Sequence, residues 1–246
     1  MTIEAHAKIN WTLEVVGVRP DGYHDLRSIV LPISLHDRVT IDEAEDLICE
    51  MPALDVSPER NLAYRAALAL REATGVACGA RIAIEKRIPA GAGLGGGSAD
   101  AAAVLNGLNR LWGLHLPEAE LCAIAARVGS DVPALTLGGP VLMEGRGERV
   151  SRLSPEQAAT LPKEDDIVIF TPDIFASTPA VYREFRETDR GLGPNDLQPA
   201  AIRLYPGIGA AIRRLERQGL KRVTMSGSGS AIYGIRKTIE KNNEFW

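Results

Sequence analysis

Between residues 5 and 14 the chain alternates strictly. Ala5, Ala7, Ile9, Trp11 and Leu13 fall on one side, and His6, Lys8, Asn10, Thr12 and Glu14 on the other, the period-two signature of a strand. Arg19-Pro20-Asp21-Gly22-Tyr23-His24 carries a turn signal and predicts a hairpin into a second strand over 26–35, with another over 38–41. The acidic run 42–46 reads as a solvated loop. Residues 61–73 place apolar side chains at helical spacing, and Gly75 suits the stop. A strand is predicted over 80–88 and helices over 99–112 and 117–128, the latter opening on a proline. Two short strands are expected between the loop 129–133 and Met143. The polar stretch 145–165 is the best boundary. Beyond it the pattern predicts strands at 166–171, 221–225 and 231–235 and helices at 179–187 and 209–218. Strands and helices in this order predict an α+β protein with two layers of mixed sheet and helix.

The 246 residues, 45% hydrophobic and 24% charged, suffice for one large domain or two small ones. A net charge of −4 with no basic block gives no electrostatic footprint for nucleic acid or anionic membranes. Cys49, Cys78 and Cys122 are scattered and lack metal-binding spacing. With neither a signal peptide nor an apolar run long enough to span a bilayer, the expectation is a cytoplasmic protein.

Five glycines crowd into residues 91–97, between a predicted strand and a helix N-terminus. Such a loop brings backbone N–H groups close to an anion, and the helix dipole favours negative charge there. Ser98 would cap the helix or face a phosphate or magnesium ion. A Walker-type loop is excluded because no Gly-Lys-Ser/Thr follows. Gly91-x-Gly93-x-x-Gly96 fits the dinucleotide fingerprint, but a second helix follows where that fold needs a strand ending in an acid. Phosphate binding remains the reading that explains the loop. On residue type alone, Asp131 reads as a turn or helix-capping residue and Lys8 as a solvated lysine.

Ala7-Lys8-Ile9-Asn10, residues 19–24, 89–98, Gly129-Ser130-Asp131-Val132-Pro133, Asn195-Asp196-Leu197 and Ser226-Gly227-Ser228-Gly229 occur in an order that resembles the GHMP kinases. That superfamily includes galactokinase, homoserine kinase and mevalonate kinase. The likeness runs from Ala7 to about Gly234. It implies an N-terminal ATP-binding domain over 1–147, similar to the second domain of ribosomal protein S5. A ferredoxin-like C-terminal domain over 148–246 would follow, with the site between them.

The resemblance further implies transfer of the ATP γ-phosphoryl group, with Mg2+, to an alcohol. Ala-Lys-Ile-Asn with Pro-Asp-Gly-Tyr-His points to an acceptor bearing a cytidine diphosphate group, phosphorylated on the 2-hydroxyl of a methylerythritol moiety. It implies Asp131 as the base and Lys8 as its catalytic partner. Pro89, Ala90, Gly91, Ala92, Gly93, Leu94, Gly95, Gly96, Gly97, Ser98 and Ala99 would hold ATP, with Ser98 a candidate magnesium ligand. Tyr23 and His24 would hold cytosine, with Tyr182 as the second aromatic. Asn10 and Thr178 would touch the substrate, and Gly227 and Gly229 would close on the phosphates.

Three departures accompany the likeness. Ala99 replaces a usual serine, Gln198 replaces a usual glutamate, and 235–246 does not resemble the family's ending. A homoserine- or mevalonate-type kinase, or a nucleotide-binding protein without turnover, therefore stands as an alternative.

Overall fold

The computed structural model describes residues 1–20, 22–52 and 57–236. In it, β1 (Thr2–Val18) and β2 (His24–Asp42) form one long antiparallel hairpin. The turn closes through the Arg19 N–H, which donates to the Tyr23 carbonyl at 2.7 Å, and Gly22 takes a φ of 82°. Asp21 of that turn and the unfamiliar tail beyond Arg236 lie outside the described residues.

β2 is continuous where the sequence predicts two strands. His36-Asp37 does not interrupt it, because the fully buried Asp37 accepts the N–H groups of Arg87 (2.5 Å) and Ile88 (2.8 Å). Strands β3 (Leu47–Glu50), β4 (Ala80–Glu85), β5 (Val141–Gly145) and β6 (Arg149–Arg152) complete a six-stranded sheet. β4 and β5 pair with opposite ends of β2. The expected division after residue 147 falls inside the β5–β6 hairpin, and a boundary after Arg152 keeps that hairpin whole.

Helices α1 (Leu62–Thr74), α2 (Gly96–Leu111), α3 (Glu118–Ala126) and α4 (Val132–Leu137) accompany this sheet. Asn61 caps α1 by accepting the Ala63 N–H, and Gly75 ends it in the left-handed conformation. α4 stands where the sequence suggested a strand. Pro133 sits in its first turn, where a missing N–H is harmless and the fixed φ is helical.

Short α5 (Pro155–Ala159) leads to β7 (Ile167–Phe170), α6 (Thr178–Glu184), α7 (Gln198–Leu204), α8 (Pro206–Arg217), β8 (Lys221–Met225) and β9 (Ile232–Ile235). The last three strands named form a second antiparallel sheet in the order β7-β9-β8. Helix α7 lies between the predicted helices, where the pattern predicts no element. No helix among the described residues is long and apolar enough to cross a membrane.

β1 serves both halves. Ala5, Ala7 and Ile9 pack into the core under α1 and α2, whereas Leu13 and Val15 pack with Val181, Leu197, Ile208 and Met225 of the second half. A register shift between Asn10 and Thr12 separates the two stretches. The Tyr233 hydroxyl donates to the carbonyls of Asn10 (3.2 Å) and Trp11 (3.0 Å), fastening β9 at this bulge.

Candidate active site

Two glycine loops meet where the halves join. In the first, Gly91, Gly93 and Gly95 all have φ near +70°, a region that favours glycine. A Cβ on Gly93 would lie 2.5 Å from the Ser226 carbonyl oxygen in the second loop, and one on Gly95 would lie 3.0 Å from Cγ of Lys8. The Ser226 hydroxyl donates to the Gly93 carbonyl at 3.0 Å and accepts the Asn10 N–H at 3.3 Å. The Ala231 N–H reaches the Ala92 carbonyl at 2.9 Å. Gly93→Ala should therefore push the loops apart and lower stability by about 2 kcal/mol. Thermal unfolding should show that as a midpoint about 4–8 °C lower.

Beneath this junction Lys8 is 3% exposed and Asn10 2% exposed. The middle of the expected polar face of β1 is therefore buried, while His6 and Glu14 at its ends remain exposed. Lys8 Nζ donates to Asn10 Oδ1 at 2.6 Å, Asn10 Nδ2 donates to Ser28 Oγ at 2.8 Å, and Ser28 Oγ donates to the Thr12 carbonyl at 2.5 Å. This chain fixes the Asn10 amide and aims the ammonium. Lys8 Nζ lies 3.4 Å from Asp131 Oδ2. Asp131 occupies the residue before α4 but makes no capping bond with its side chain. Its carboxylate is partly open and faces the lysine, so the capping reading fails.

Both residues border a cavity of about 570 Å³ that Asn10, Tyr23, His24, Gly93, Thr178, Tyr182 and Gly227 also line. The rings of His24 and Tyr182 lie 5.2 Å apart, and Phe185 meets His24 edge-on at 5.8 Å. Burial is the main cause holding His24 below its usual range, opposed by Glu187 and reinforced by Arg190. Burial, followed by the Asp131 charge, pushes the Tyr182 hydroxyl well above its ordinary value. His24 is thus favoured as neutral imidazole and Tyr182 as a protonated hydroxyl. Tyr23 is exposed, with the Arg146 guanidinium 3.7 Å above its ring. The Thr178 and Ser228 hydroxyls are 2.7 Å apart.

Several expected positions lie elsewhere. Gly229 does not line the cavity, and its missing Cβ leaves room for the Met225 sulfur. Among residues 89–99 only Gly93 reaches the cavity, while Ala92, Leu94 and Ala99 are buried in the core. Pro89, Ala90, Gly91 and Gly97 are exposed on the outer side of the loop. Helix α2 begins at Gly96, so Gly96, Gly97 and half-buried Ser98 form its first turn. Ser98 is therefore not the cap, and Gly95 holds that position without a side-chain bond.

Sequence reasoning missed Ser28, Arg146 and Arg183. The last two line the cavity and Ser28 anchors Asn10. The only signal for Ser28 was its place in an apolar strand. Gln198, the departure from glutamate, accepts from the Thr224 hydroxyl at 2.8 Å and the Met225 N–H at 2.9 Å, roles that need no charge.

The first loop fits a nucleotide triphosphate. Its glycines leave out the side chains that would fill the cradle, and α2 presents N–H groups without intrahelical partners. Among the described residues no group of three His, Cys, Asp or Glu side chains could hold a metal ion. Ser98 carries the one side-chain hydroxyl of residues 89–98 and would be this loop's ligand to a magnesium ion carried on the phosphates.

Next to the loop lies a buried charge cluster. Lys86 Nζ pairs with Asp37 Oδ2 and, at 2.7 Å, with Asp100 Oδ2 in α2. Burial is the main reason that the Asp100 carboxyl is pushed up to about 7, with Lys86 opposing and Asp37 adding to the shift. Asp100 Oδ1 has no hydrogen-bond partner.

Family comparisons agree with this arrangement. The family model described as GHMP kinases N terminal domain matches residues 61–139, and that described as GHMP kinases C terminal matches 178–242. A 4-diphosphocytidyl-2-C-methyl-D-erythritol kinase of Symbiobacterium thermophilum is 49% identical, covering 87% of this chain and 74% of that protein. The enzyme of the same name from Pelotomaculum thermopropionicum is 38% identical, covering 98% and 90%. A crystal structure of 4-(cytidine 5'-diphospho)-2C-methyl-D-erythritol kinase superposes with a TM-score of 0.80 at 38% identity, covering 96% of this chain and 90% of that one. The Methanococcus jannaschii mevalonate kinase, at 14% identity and a TM-score of 0.71, shares the fold. With its clasped glycine loops, two-sheet architecture and these relatives, the chain belongs to the GHMP kinase family.

Proposed function

We propose that this kinase transfers the γ-phosphoryl group of ATP to the 2-hydroxyl of 4-diphosphocytidyl-2-C-methyl-D-erythritol. The observation that carries the reading is the Lys8–Asp131 pair at the wall of a cavity bounded by a phosphate-type loop on one side and aromatic rings on the other. The cavity size suits a ligand of this class. The relatives' names specify the same acceptor.

Phosphoryl transfer asks the protein for positioning, charge stabilisation and a proton acceptor. Asp131 Oδ2 takes the proton of the acceptor hydroxyl as the hydroxyl oxygen bonds to the γ-phosphorus and the bond from that phosphorus to the β-phosphate oxygen breaks, releasing ADP. Lys8, aimed by Asn10, stabilises the oxygen's developing charge and holds the carboxylate in line. Gly93 and the first turn of α2 present N–H groups toward the phosphates, and Gly227 closes the opposite wall. Ser98 would serve as the chain's contact to a magnesium ion carried on the ATP phosphates, and such an ion would supply charge neutralisation for the departing ADP.

Tyr182 and His24 form the base-binding wall, with neutral His24 offering one donor and one acceptor to a cytosine edge. Arg146 over Tyr23 marks the second flank of that wall and supplies a cation beside the diphosphate. Tyr182→Ala should raise KM for the cytidyl acceptor by about 10–100-fold, the worth of a lost base stack. KM for ATP should stay within about twofold.

Magnesium-dependent ADP release with 4-diphosphocytidyl-methylerythritol, homoserine and mevalonate, offered separately, tests the assignment. Turnover with the cytidyl compound alone is expected. Turnover with another alcohol alone would overturn the acceptor. ATP binding with no turnover on any of them would favour a binding protein.

A further inference from the structure

Asn195 lines no part of the cavity, yet it is 2% exposed and uses both of its amide hydrogens and its oxygen. Its Nδ2 donates to the carbonyls of Met225 and Gly227, each at 2.8 Å, and its Oδ1 accepts the Leu197 N–H at 2.9 Å. The Gly227 carbonyl belongs to the second glycine loop at its nearest approach to the Lys8–Asn10 pair. A Cβ built on Gly227 would stand 3.3 Å from Asn10 Oδ1 and 3.4 Å from Lys8 Nζ. The absent side chain leaves Lys8 and Asn10 the room they occupy, and the placement of the Gly227 backbone sets how much room that is.

The segment carrying Asn195 is itself tied to β1. The Leu13 N–H donates to the Pro194 carbonyl at 2.8 Å, and the Asp196 N–H donates to the Leu13 carbonyl at 2.9 Å. Asp196 adds two bonds through its carboxylate, accepting from Val15 N–H at 2.8 Å and from Gly191 N–H at 2.9 Å. Asn195 and Asp196 thus face opposite ways. The backbone bonds to Leu13 hold the segment on β1 with or without the Asp196 carboxylate, and the Asn195 side chain extends from it to the loop.

We propose that Asn195 is a positioning residue for phosphoryl transfer, holding the Gly227 carbonyl so that the second glycine loop is set against Lys8 and Asn10 before substrates bind. The kinetic side of this inference rests on the kinase reading above, whereas its structural side does not. An amide is needed because two carbonyls must be met by two donors from one side chain. Aspartate has the same shape but would set oxygen against oxygen at both contacts.

Three measurements decide the matter. Asn195→Asp and Asn195→Ala should lower kcat by about 30–100-fold, as expected for a displaced reacting group. KM for ATP and for the acceptor should move by less than about threefold. Asp196→Asn, which disturbs the same segment on its far side, should lower the unfolding temperature but keep kcat within about threefold.

Equal losses of kcat in the Asn195 and Asp196 variants, or no loss in folded Asn195 variants, would overturn the proposal. Hydrogen exchange of the unliganded wild-type protein tests it without substitution or turnover. The hydrogen-bonded amides of Ser226 and Gly229 should exchange as slowly as those of β9, and fast exchange confined to these two would overturn the proposal. If the wild type proves to phosphorylate a different alcohol, the acceptor assignment fails while both tests of Asn195 still apply.

Discussion

Asp131→Asn is expected to lower turnover by about 10³-fold, within the range a positioned proton acceptor contributes. The substitution replaces one carboxylate oxygen by an NH2 group and leaves the loop's shape intact, since the side chain makes no capping bond that α4 needs. Lys8 keeps its 2.6 Å bond to Asn10, so the ammonium stays aimed. The first glycine loop is held by its bonds to Ser226 and Ala231, which do not involve Asp131, so it keeps them. Equilibrium ATP binding should accordingly stay within about twofold of wild type while coupled ADP release collapses. Wild-type turnover in the variant would remove Asp131 as the proton acceptor and leave Lys8 as the main electrostatic group.

Lys86→Met should have the largest effect on stability. It leaves Asp37 and Asp100 buried without their shared cation, and breaking such a cluster is worth about 3–5 kcal/mol. A midpoint about 10 °C lower is expected in thermal unfolding at neutral pH. The loss should shrink on acidification because Asp100 is the group that takes up the proton. Its folded pKa of about 7 lies above the unfolded value of 3.8. The stability tied to that proton is complete below pH 4, declines as pH rises toward 7, and is gone above it. Asp100→Asn should abolish that slope and stabilise the protein at pH 8 by about 1–3 kcal/mol. A flat stability profile in the wild type between pH 4 and 7 would contradict the raised value.

The sequence exposed what local patterning controls. The hairpin, the Gly75 stop and the strand–glycine-loop–helix order all carry short-range signatures, and all appear in the structure. The bulge at Trp11 does not, because it depends on which core each half of β1 joins. Helix α4 was misread since Val132-Pro133-Ala134-Leu135 is as apolar as a strand, and only the proline's position speaks for a helix. Ser28 and Arg146 stayed hidden for a related reason. Each matters through a partner distant in the chain, and neither spacing nor composition reports that partner. The resemblance implies Lys8 and Asp131 as a pair, and the 3.4 Å approach between them, invisible in residue type, speaks against a solvated lysine and a capping aspartate.

The bulge that lets β1 serve two cores has a consequence for how the chain is made. Asn10 and Trp11 leave the ribosome early, yet their carbonyls are met by Tyr233, more than 220 residues later. The Asn10 N–H likewise waits for Ser226. Contacts of such sequence separation form late because a long loop must close first. The β1–β2 hairpin can assemble on the nascent chain, but Lys8 is shut away from solvent only once the last strand is in place. A folding intermediate would hold that lysine wet and unaimed, so phosphoryl transfer is expected to begin only after the second sheet has docked on β1.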